Sequence, residues 1–217
     1  MNTGITQKKL IAEFIGTYFL VFAGTGAIIS NTLTESLTHI GIALTFGLVV
    51  IALIYTFGHV SGAHFNPAVT IGFLVSRDIS IKEAIQYIIV QIIAAIAASS
   101  TLLAMFGNVA NLGANMPRYS WQQSFVLEFI LTFLLMMVIF GSAVHGKAVK
   151  SFAGIAIGST IGLELMFAGP ISGASMNPAR DIGPALMSGQ LEYLWIYIVA
   201  TTLGAIVAAI IYKLLHE

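Results

Sequence analysis

The sequence predicts an all-α membrane protein with six transmembrane helices and two re-entrant half-helices in an inverted repeat. The chain has 217 residues, of which 58% are hydrophobic and only 8% are charged, whereas a soluble domain carries about 25% charged residues. Six apolar runs are long enough to cross a hydrocarbon core of roughly 30 Å. A short polar stretch built on Asn-Pro-Ala occurs twice, at corresponding places in the two halves. Composition, span length and repetition therefore indicate the same fold class.

The six predicted spans are separated by loops or by the two polar stretches. Their approximate bounds are residues 10–30, 40–57, 84–106, 125–144, 152–167 and 193–212. Nine residues precede the first span, and no small-residue cleavage site follows it at a suitable place. We therefore expect the first span to stay in the protein as a signal anchor.

The two halves of the chain correspond to each other. Asn66 and Asn177 are 111 residues apart, and the first span of each half carries a Glu-Phe pair near its start. An internal duplication of this kind identifies a repeat architecture, and in membrane proteins its interrupted segments indicate the functional site. We expect one transmembrane channel domain over 1–217, with inverted repeats at about 8–106 and 121–215 joined by the loop 107–120.

Each polar stretch has the pattern of a helix start. An Asn at the N-cap followed by Pro at the first helical position is a preferred beginning. The second half-helix, starting at Asn177, can extend only to about Met187, because Ser188-Gly189-Gln190 ends it. A helix of about eleven residues rises about 16 Å, which is half of the hydrocarbon core. The first half-helix is closed in the same way by Arg77-Asp78.

The Lys and Arg residues predict the orientation, because cytoplasmic loops carry an excess of both. With both termini cytoplasmic, most of the basic residues lie inside, namely Lys8, Lys9, Arg77, Lys82, Lys147, Lys150 and Lys213. Only Arg118 and Arg180 lie outside. An odd number of crossings separates the half-helices, so they enter the lipid bilayer from opposite faces. We expect a multi-pass protein of a plasma or inner membrane.

The polar stretches predict a path through the membrane. Non-helical backbone at membrane depth persists only where it is buried in protein or lines a water-filled path. The carbonyls expected to line the path belong to Gly62, Ala63, His64, Phe65, Gly173, Ala174, Ser175 and Met176. Half-helices that meet N-terminus to N-terminus add partial positive charge at the centre, together with the amides of Asn66 and Asn177. Such a centre disfavours protons and ions and suits water and small uncharged solutes.

Other function classes find less support in the sequence. An ion-coupled small-solute transporter is an alternative, because broken helices in an inverted repeat also build such carriers. Glu164 is the carboxylate available for coupling, and a carrier needs a titratable pair or an ion site. No activated nucleophile, metal-ligand set or nucleotide loop occurs, so we expect no enzyme activity, no cofactor and no metal. Cysteine is absent and the formal net charge is zero, which leaves no argument for a nucleic-acid partner.

The sequence resembles aquaporin-superfamily (major intrinsic protein) channels over essentially its whole length. The resemblance rests on Ala12-Glu13-Phe14, on SGAHFNPAVT at 61–70 and on NPAR at 177–180. The run AGPISGASM at 168–176 is also similar to the nodulin-26-like branch and its bacterial relatives of the aquaglyceroporin type. The resemblance implies a homotetramer with one pore per subunit. The motif residues that it places at the pore centre are Asn66, Pro67, Ala68, Asn177, Pro178 and Ala179.

By the same resemblance, a selectivity filter on the outer side is formed by Phe46, Leu165, Ala174 and Arg180. Arg180 also stands out by itself, because an intramembrane charge is a functional hypothesis by default. Leu165 occupies the place where strict water channels of the family usually have His. With Ala174 it leaves a wider and more apolar wall, which suits glycerol-like polyols or neutral metalloid hydroxides.

Two further functions stay open beside that interpretation. Asp181 is similar to the glycerol-conducting branch, whereas Ala185 and Tyr197-Ile198 depart from its pattern. A strict water channel is therefore an alternative. A structural junction protein with a closed pore is another, because some members of the resembled family pack in that way.

Three carboxylates in the predicted spans require an explanation. Glu13 and Glu128 occupy equivalent places in the two halves. They lie either in the first turn of a helix, where the dipole favours them, or, as the resemblance implies, they accept hydrogen bonds from backbone N–H groups of the half-helix loops. Glu164 either supports the outer loop as a protonated or hydrogen-bonded carboxyl or faces the pore as a pH-sensitive gate. The resemblance also implies that the His64 ring packs on the cytoplasmic side.

Overall fold

A computed structural model describes residues 3–216, and these residues form eight α-helices and no strand. The helices are α1 (Thr3–Thr34), α2 (Thr38–Ser61), α3 (Pro67–Val75), α4 (Ile81–Phe106), α5 (Trp121–Ile139), α6 (Ala153–Ser172), α7 (Pro178–Ser188) and α8 (Leu194–His216). A π-helical turn, Phe140–Val144, extends α5, and a 3₁₀ turn, Lys150–Phe152, precedes α6. The all-α class predicted from the sequence is confirmed.

Six helices within the described residues are long and apolar enough to cross a membrane. Their bounds extend beyond the apolar runs seen in the sequence. The fourth crossing begins at Trp121 rather than near 125, and the fifth continues through Pro170 to Ser172 rather than ending near 167. Hydropathy indicates only the apolar part of a helix. Helix caps and buried polar side chains allow the helix to extend beyond that part.

The two half-helices begin as the sequence predicts. Asn66 and Asn177 are N-caps whose side-chain oxygens accept hydrogen bonds from two backbone N–H groups each. A Pro follows at the first helical position in both cases. The second half-helix ends at Ser188, where Gly189 takes a left-handed conformation with φ of 83°. The first is shorter and ends at Val75.

The two repeats interlock through their half-helices. The long helices pack as α2 with α6, α5 with α8, and α1 with both α2 and α4. Each half-helix packs on the last long helix of the other repeat, α3 on α8 and α7 on α4. Small residues allow close approach at these crossings. A Cβ at Gly183, for example, would lie 2.5 Å from the Ala95 carbonyl oxygen.

The bundle has two ends that are used as landmarks below. The loop end holds the connection 107–120, and the terminal end holds the start of α1 and the end of α8. The connection is folded into the bundle. It contains a 3₁₀ turn, Val109–Gly113, in which the last four residues have positive φ angles, and its Leu112 is fully buried against Ile29 and Leu102. From the sequence, this segment was predicted only as a loop that joins the two repeats.

Candidate functional site

Two four-residue loops lie between a long helix and a half-helix, and they have the same backbone conformation. Positive φ angles occur at Gly62 (89°), Ala63 (53°), Phe65 (51°), Gly173 (96°), Ala174 (47°) and Met176 (55°). A left-handed conformation is unfavourable for residues other than Gly and persists only where the surroundings hold it. Each loop must therefore have a partner that fixes its backbone.

A buried carboxylate fixes the first loop. Glu13 is fully buried, and its Oε1 accepts hydrogen bonds from the His64 backbone N–H (3.0 Å) and the Ser61 hydroxyl (2.7 Å). Its Oε2 accepts from the Phe65 backbone N–H and from the Gln91 side-chain amide, both at 2.8 Å. Glu13 lies well inside α1, so a first-turn interaction with the helix dipole does not describe it.

The second loop repeats this arrangement around Glu128. Its Oε1 accepts from the Ser172 hydroxyl at 2.7 Å, and its carboxylate accepts from the backbone N–H groups of Ser175 and Met176 at 3.0 Å. Glu128 is also fully buried. A carboxylate that satisfies two otherwise orphaned backbone donors removes a cost of about 1–3 kcal/mol for each of them.

A tyrosine supports each loop from behind. The Tyr87 hydroxyl donates to the Ser61 carbonyl at 2.7 Å, and the Tyr197 hydroxyl donates to the Ser172 carbonyl at 2.6 Å. The sequence analysis noted Tyr197 only as a departure from the glycerol-conducting pattern. The structure gives it a position in the second repeat that matches Tyr87 in the first. The two tyrosines are 110 residues apart, one fewer than the two motif asparagines, so the internal duplication was the signal in the sequence that could have paired them.

The two half-helices meet N-terminus to N-terminus through their Asn side chains. The Asn66 Nδ2 donates to the Met176 carbonyl at 2.7 Å, and the Asn177 Nδ2 donates to the Phe65 carbonyl at 2.9 Å. An amide nitrogen carries two hydrogens, so each Asn keeps one donor after this bond. Both side chains line the main cavity of the molecule.

That cavity has a volume of about 840 Å³ and runs from the terminal end to Arg180. Seven of the eight residues expected to supply carbonyls line it, and Gly173 does not. A Cβ at Gly173 would lie 2.2 Å from Oδ1 of Asn115, so Gly173 faces the folded connection instead. The Pro and Ala residues of both motifs are buried beside the cavity and do not line it.

The four expected filter residues all belong to the cavity wall, and two of them, Phe46 and Arg180, lie close together. Phe46, Leu165, Ala174 and Arg180 all line the cavity. The guanidinium carbon of Arg180 lies 5.4 Å from the centre of the Phe46 ring. Its Nη1 donates to the Gly113 carbonyl at 2.8 Å, while its Nε has no hydrogen-bond partner among residues 3–216. Of the five N–H donors of the guanidinium, the one on Nε is buried and one on Nη1 binds Gly113, which leaves the others for a molecule in the cavity.

The connection 107–120 forms hydrogen bonds with Arg180 and Asp181 from the loop end. Gly113 supplies the carbonyl that binds Arg180, and the Asn115 side-chain amide donates to Asp181 Oδ1 at 2.8 Å. The Ser175 hydroxyl donates to the other oxygen of Asp181. Gly113 and Asn115 were not among the site residues predicted from the sequence. The Gly- and Asn-rich composition of the loop was the available signal, but composition does not indicate which residue folds inward.

Comparisons with known proteins agree with this architecture. A family model described as Major intrinsic protein matches residues 2–212. The chain belongs to the major intrinsic protein family. It is 47% identical to Nodulin-26 of Glycine max over 96% of this chain and 78% of that protein, and 45% identical to Aquaporin NIP1-1 of Zea mays over 96% and 75%. The X-ray structure of the aquaglyceroporin from Plasmodium falciparum superposes with a TM-score of 0.84 at 27% identity, over 96% of both chains.

Membership of the major intrinsic protein family decides the class of function. The family consists of membrane channels and not of enzymes. With six membrane-spanning helices within residues 3–216 and a cavity lined by both motifs, the chain is a multi-pass membrane channel for water and small uncharged solutes.

In this member of the major intrinsic protein family, Glu164 has neither of the roles considered from the sequence. It is fully buried but does not line the cavity, so it is not a pore-facing group. Neither carboxyl oxygen has a hydrogen-bond partner among the described residues, so it does not support the outer loop by hydrogen bonding.

His64 lines the cavity, and its ring packs against α3 and α4. The ring stacks on Phe73 with 4.4 Å between centres, contacts Tyr87 edge-on at 5.1 Å and places Nδ1 3.1 Å from the Thr70 hydroxyl. Within residues 3–216, no three His, Asp or Glu side chains are close enough to hold a metal ion.

Proposed function

We propose that the chain conducts water together with glycerol-like polyols or neutral metalloid hydroxides and excludes protons and ions. The observation that carries this proposal is the composition of the filter level. Leu165 and Ala174 form an apolar wall on a cavity that also exposes the Arg180 guanidinium. A solute with hydroxyl groups and an apolar backbone can bind the guanidinium donors while its carbon atoms contact the wall.

We infer that the centre of the pore excludes protons and cations. The helix N-termini at Asn66 and Asn177 place partial positive charge there. The remaining amide donor of each Asn turns the oxygen of a passing water towards itself, so this water cannot pass a proton onward. We propose that the backbone carbonyls of the two loops accept hydrogen bonds from the solute as it passes along the cavity, one loop on each side of the two asparagines.

An ion-coupled carrier fits the cavity less well. The carboxylates that line the cavity, Asp78 and Glu83, lie at its terminal end, and Glu83 already forms an ion pair with Lys9 at 2.7 Å. Glu164 does not reach the cavity. A passive channel needs no such group, and we expect neither catalytic turnover nor a cofactor.

We also propose the assembly and the placement in the cell. The family resemblance supports a homotetramer of single-domain subunits, each with its own pore. The distribution of Lys and Arg supports a plasma or inner membrane with both termini cytoplasmic, which makes the terminal end the inner end. Large apolar side chains exposed along the long helices, such as Leu48, Ile89 and Ile130, provide surface for lipid or for neighbouring subunits.

The test is a pair of permeability measurements on proteoliposomes by stopped-flow light scattering. We expect high flux of both water and glycerol. The variant Leu165→His should lower glycerol flux about tenfold, which corresponds to about 1.4 kcal/mol in barrier height, and should leave water flux within about twofold. Leu165→Met is the volume-conserving control. High water flux with glycerol excluded in the unmodified protein would establish the strict water channel instead.

A further inference from the structure

One helix at the filter level contains a proline that removes a backbone donor. Pro170 lies inside α6. A proline has no N–H, so the carbonyl four residues earlier, that of Met166, loses its helical partner. Met166 directly follows the filter residue Leu165. An unpaired carbonyl in a membrane-spanning helix is costly, and such groups are re-satisfied by neighbouring elements.

A histidine of the neighbouring helix α2 supplies the missing hydrogen-bond donor to the Met166 carbonyl. His39 lies in the first turn of α2, at the loop end, and its Nε2 is 2.9 Å from the Met166 carbonyl oxygen. A carbonyl only accepts, so Nε2 carries the proton and donates. The imidazole thus replaces, from another helix, the N–H group that Pro170 lacks.

The residue before the proline provides the room for this contact. A Cβ at Gly169 would lie 2.8 Å from His39 Cε1 and 3.6 Å from Leu165 Cγ. A Cβ at this position would clash with the imidazole, whereas its contact with the Leu165 side chain would be an ordinary one. The histidine ring and the Leu165 side chain therefore flank the same point on α6.

His39 contributes to the packing of α2, which carries Phe46, against α6, which carries Leu165, and the 3₁₀ turn that precedes α6. At the terminal end, the Tyr55 hydroxyl donates to the Ser151 carbonyl at 2.8 Å. Midway, the helices cross on glycines, where a Cβ at Gly158 would lie 2.5 Å from the Gly47 carbonyl oxygen. Of these contacts, that of the histidine is next to the filter.

The first repeat has no such arrangement. At the spacing of 111 residues that relates the two halves, the place of Pro170 is taken in α2 by His59. His59 has a backbone N–H, so the helix there leaves no carbonyl vacant for an outside donor. The contact is thus specific to the half of the molecule that supplies Leu165.

We propose that His39 is a positioning residue of the filter. Its Nε2–H takes over the hydrogen bond that Pro170 cannot make, and so holds the turn of α6 that places Leu165 opposite Arg180. This inference rests on the proposed role of Leu165 in solute selection. Without the histidine donor, the turn at Met166 rearranges to satisfy its carbonyl, and Leu165 moves from the filter wall.

The test is a double-mutant cycle read as the ratio of glycerol to water permeability in proteoliposomes. His39→Ala should raise this ratio at least about threefold, because Leu165 is no longer held at the filter. In a Pro170→Ala background, the restored backbone N–H bonds to the Met166 carbonyl, and His39→Ala should then change the ratio by less than about 1.5-fold. His39→Gln, which keeps a side-chain N–H donor, should retain most of the original ratio. His216→Ala, at the opposite end of the molecule, is the histidine control and should not change it.

Leu165→Ala separates the two levels of this proposal. If Leu165→Ala changes the ratio while His39→Ala does not, or while His39→Ala acts equally in both backgrounds, the positioning role is overturned and the filter stands. If Leu165→Ala leaves the permeability ratio unchanged, both the assignment of Leu165 to the filter and the positioning role of His39 are wrong. Reconstituted protein is quantified for each variant, so that loss of folded channel lowers both fluxes and leaves their ratio interpretable.

Discussion

Two of the aromatic rings that line the cavity, those of Phe46 and Phe65, pack directly on the backbone of α1. A Cβ at Gly24 would lie 2.2 Å from Cε1 of Phe46, and a Cβ at Gly16 would lie 2.0 Å from Cε1 of Phe65. Each ring occupies the space that a Cβ at the facing position of α1 would fill, so it can stay in place only if that position is glycine. The width of the path at these levels is therefore set partly by residues that do not touch a solute.

Gly24→Ala should narrow the filter. The added methyl group cannot coexist with the Phe46 ring in its present place, so the ring moves towards Arg180 and the cavity. We expect water and glycerol permeability to fall at least about fivefold. Gly26→Ala on the same helix is the matched control, since its Cβ would meet only Leu102 Cδ2 at 3.5 Å, an ordinary contact. Equal permeability of the two variants would show that the Phe46 ring does not limit the path.

The buried carboxylates Glu128 and Glu164 lie on neighbouring helices but differ in their hydrogen bonds. Glu128 accepts from two backbone N–H groups and one hydroxyl, whereas neither oxygen of Glu164 has a partner within the described part of the chain. A buried polar group without a partner costs free energy, while a partnered one that is removed leaves its donors orphaned.

Glu128→Gln should lower the free energy of unfolding by about 1–3 kcal/mol, because an amide N–H₂ then faces backbone donors. Glu164→Gln, with the same change of chemistry, should leave stability nearly unchanged, and Glu164→Leu should raise it. Thermal unfolding of the three purified variants in one detergent checks the order. Because Glu164 does not line the cavity, Glu164→Gln should also leave the pH dependence of water flux unchanged. A shifted pH profile in this variant would restore the gate hypothesis.

The helix pairs of the bundle depend on glycines at their crossings. Between α2 and α6, a Cβ at Gly47 would lie 2.7 Å from the Gly158 carbonyl oxygen. The obstacle is backbone on both sides, so no side-chain rearrangement can relieve it. The spacing of these two helices also sets the distance between Phe46 and Leu165, which we propose as filter residues.

Gly158→Ala should destabilise the fold and disturb the filter together. Overpacking of this kind costs about 1–3 kcal/mol, and a protein of this size loses about 2–4 °C in thermal midpoint for each 1 kcal/mol. We expect a lower midpoint and a changed glycerol-to-water permeability ratio. Gly141→Ala is the control, because its Cβ would have no neighbour within 4 Å. A midpoint for Gly158→Ala equal to that of the control would mean that the helices can separate at no cost.

For the whole molecule, the charge distribution predicts which end faces the cytoplasm. Seven of the nine basic residues lie at the terminal end by the order of the helices. The inverted repeat makes the two ends of the fold similar in backbone. Orientation therefore depends on these surface charges rather than on the fold.

Single cysteines can test this orientation, because the natural sequence has none. Ser36→Cys lies in the exposed α1–α2 connection at the loop end, and Ser151→Cys is exposed at the terminal end. In intact cells, a membrane-impermeant maleimide should label Ser36→Cys and should label Ser151→Cys only after permeabilisation. The reverse pattern would place the termini outside. The unmodified protein is the blank.

The sequence by itself determined the class of the fold, the six crossings and the two capped half-helices. These features depend on local chemistry: apolar runs of membrane length, and an Asn-Pro step that starts a helix. The end of α7 at Ser188 was predictable for the same reason, since a glycine follows it. The duplication of Asn66 at Asn177 also indicated where the functional residues lie, because both are marked by motifs that need no partner to be recognised.

Only the tertiary structure decided which distant residues hold those motifs in place. Gln91 at Glu13, Asn115 at Asp181 and His39 at the Met166 carbonyl are contacts between different helices or with the folded connection. Their partners are backbone or side-chain groups whose need for a hydrogen bond arises only when the helices pack. Glu164 could not be interpreted from the sequence for the same reason. Its burial without a hydrogen-bond partner depends on the packing around it and not on its neighbours in sequence.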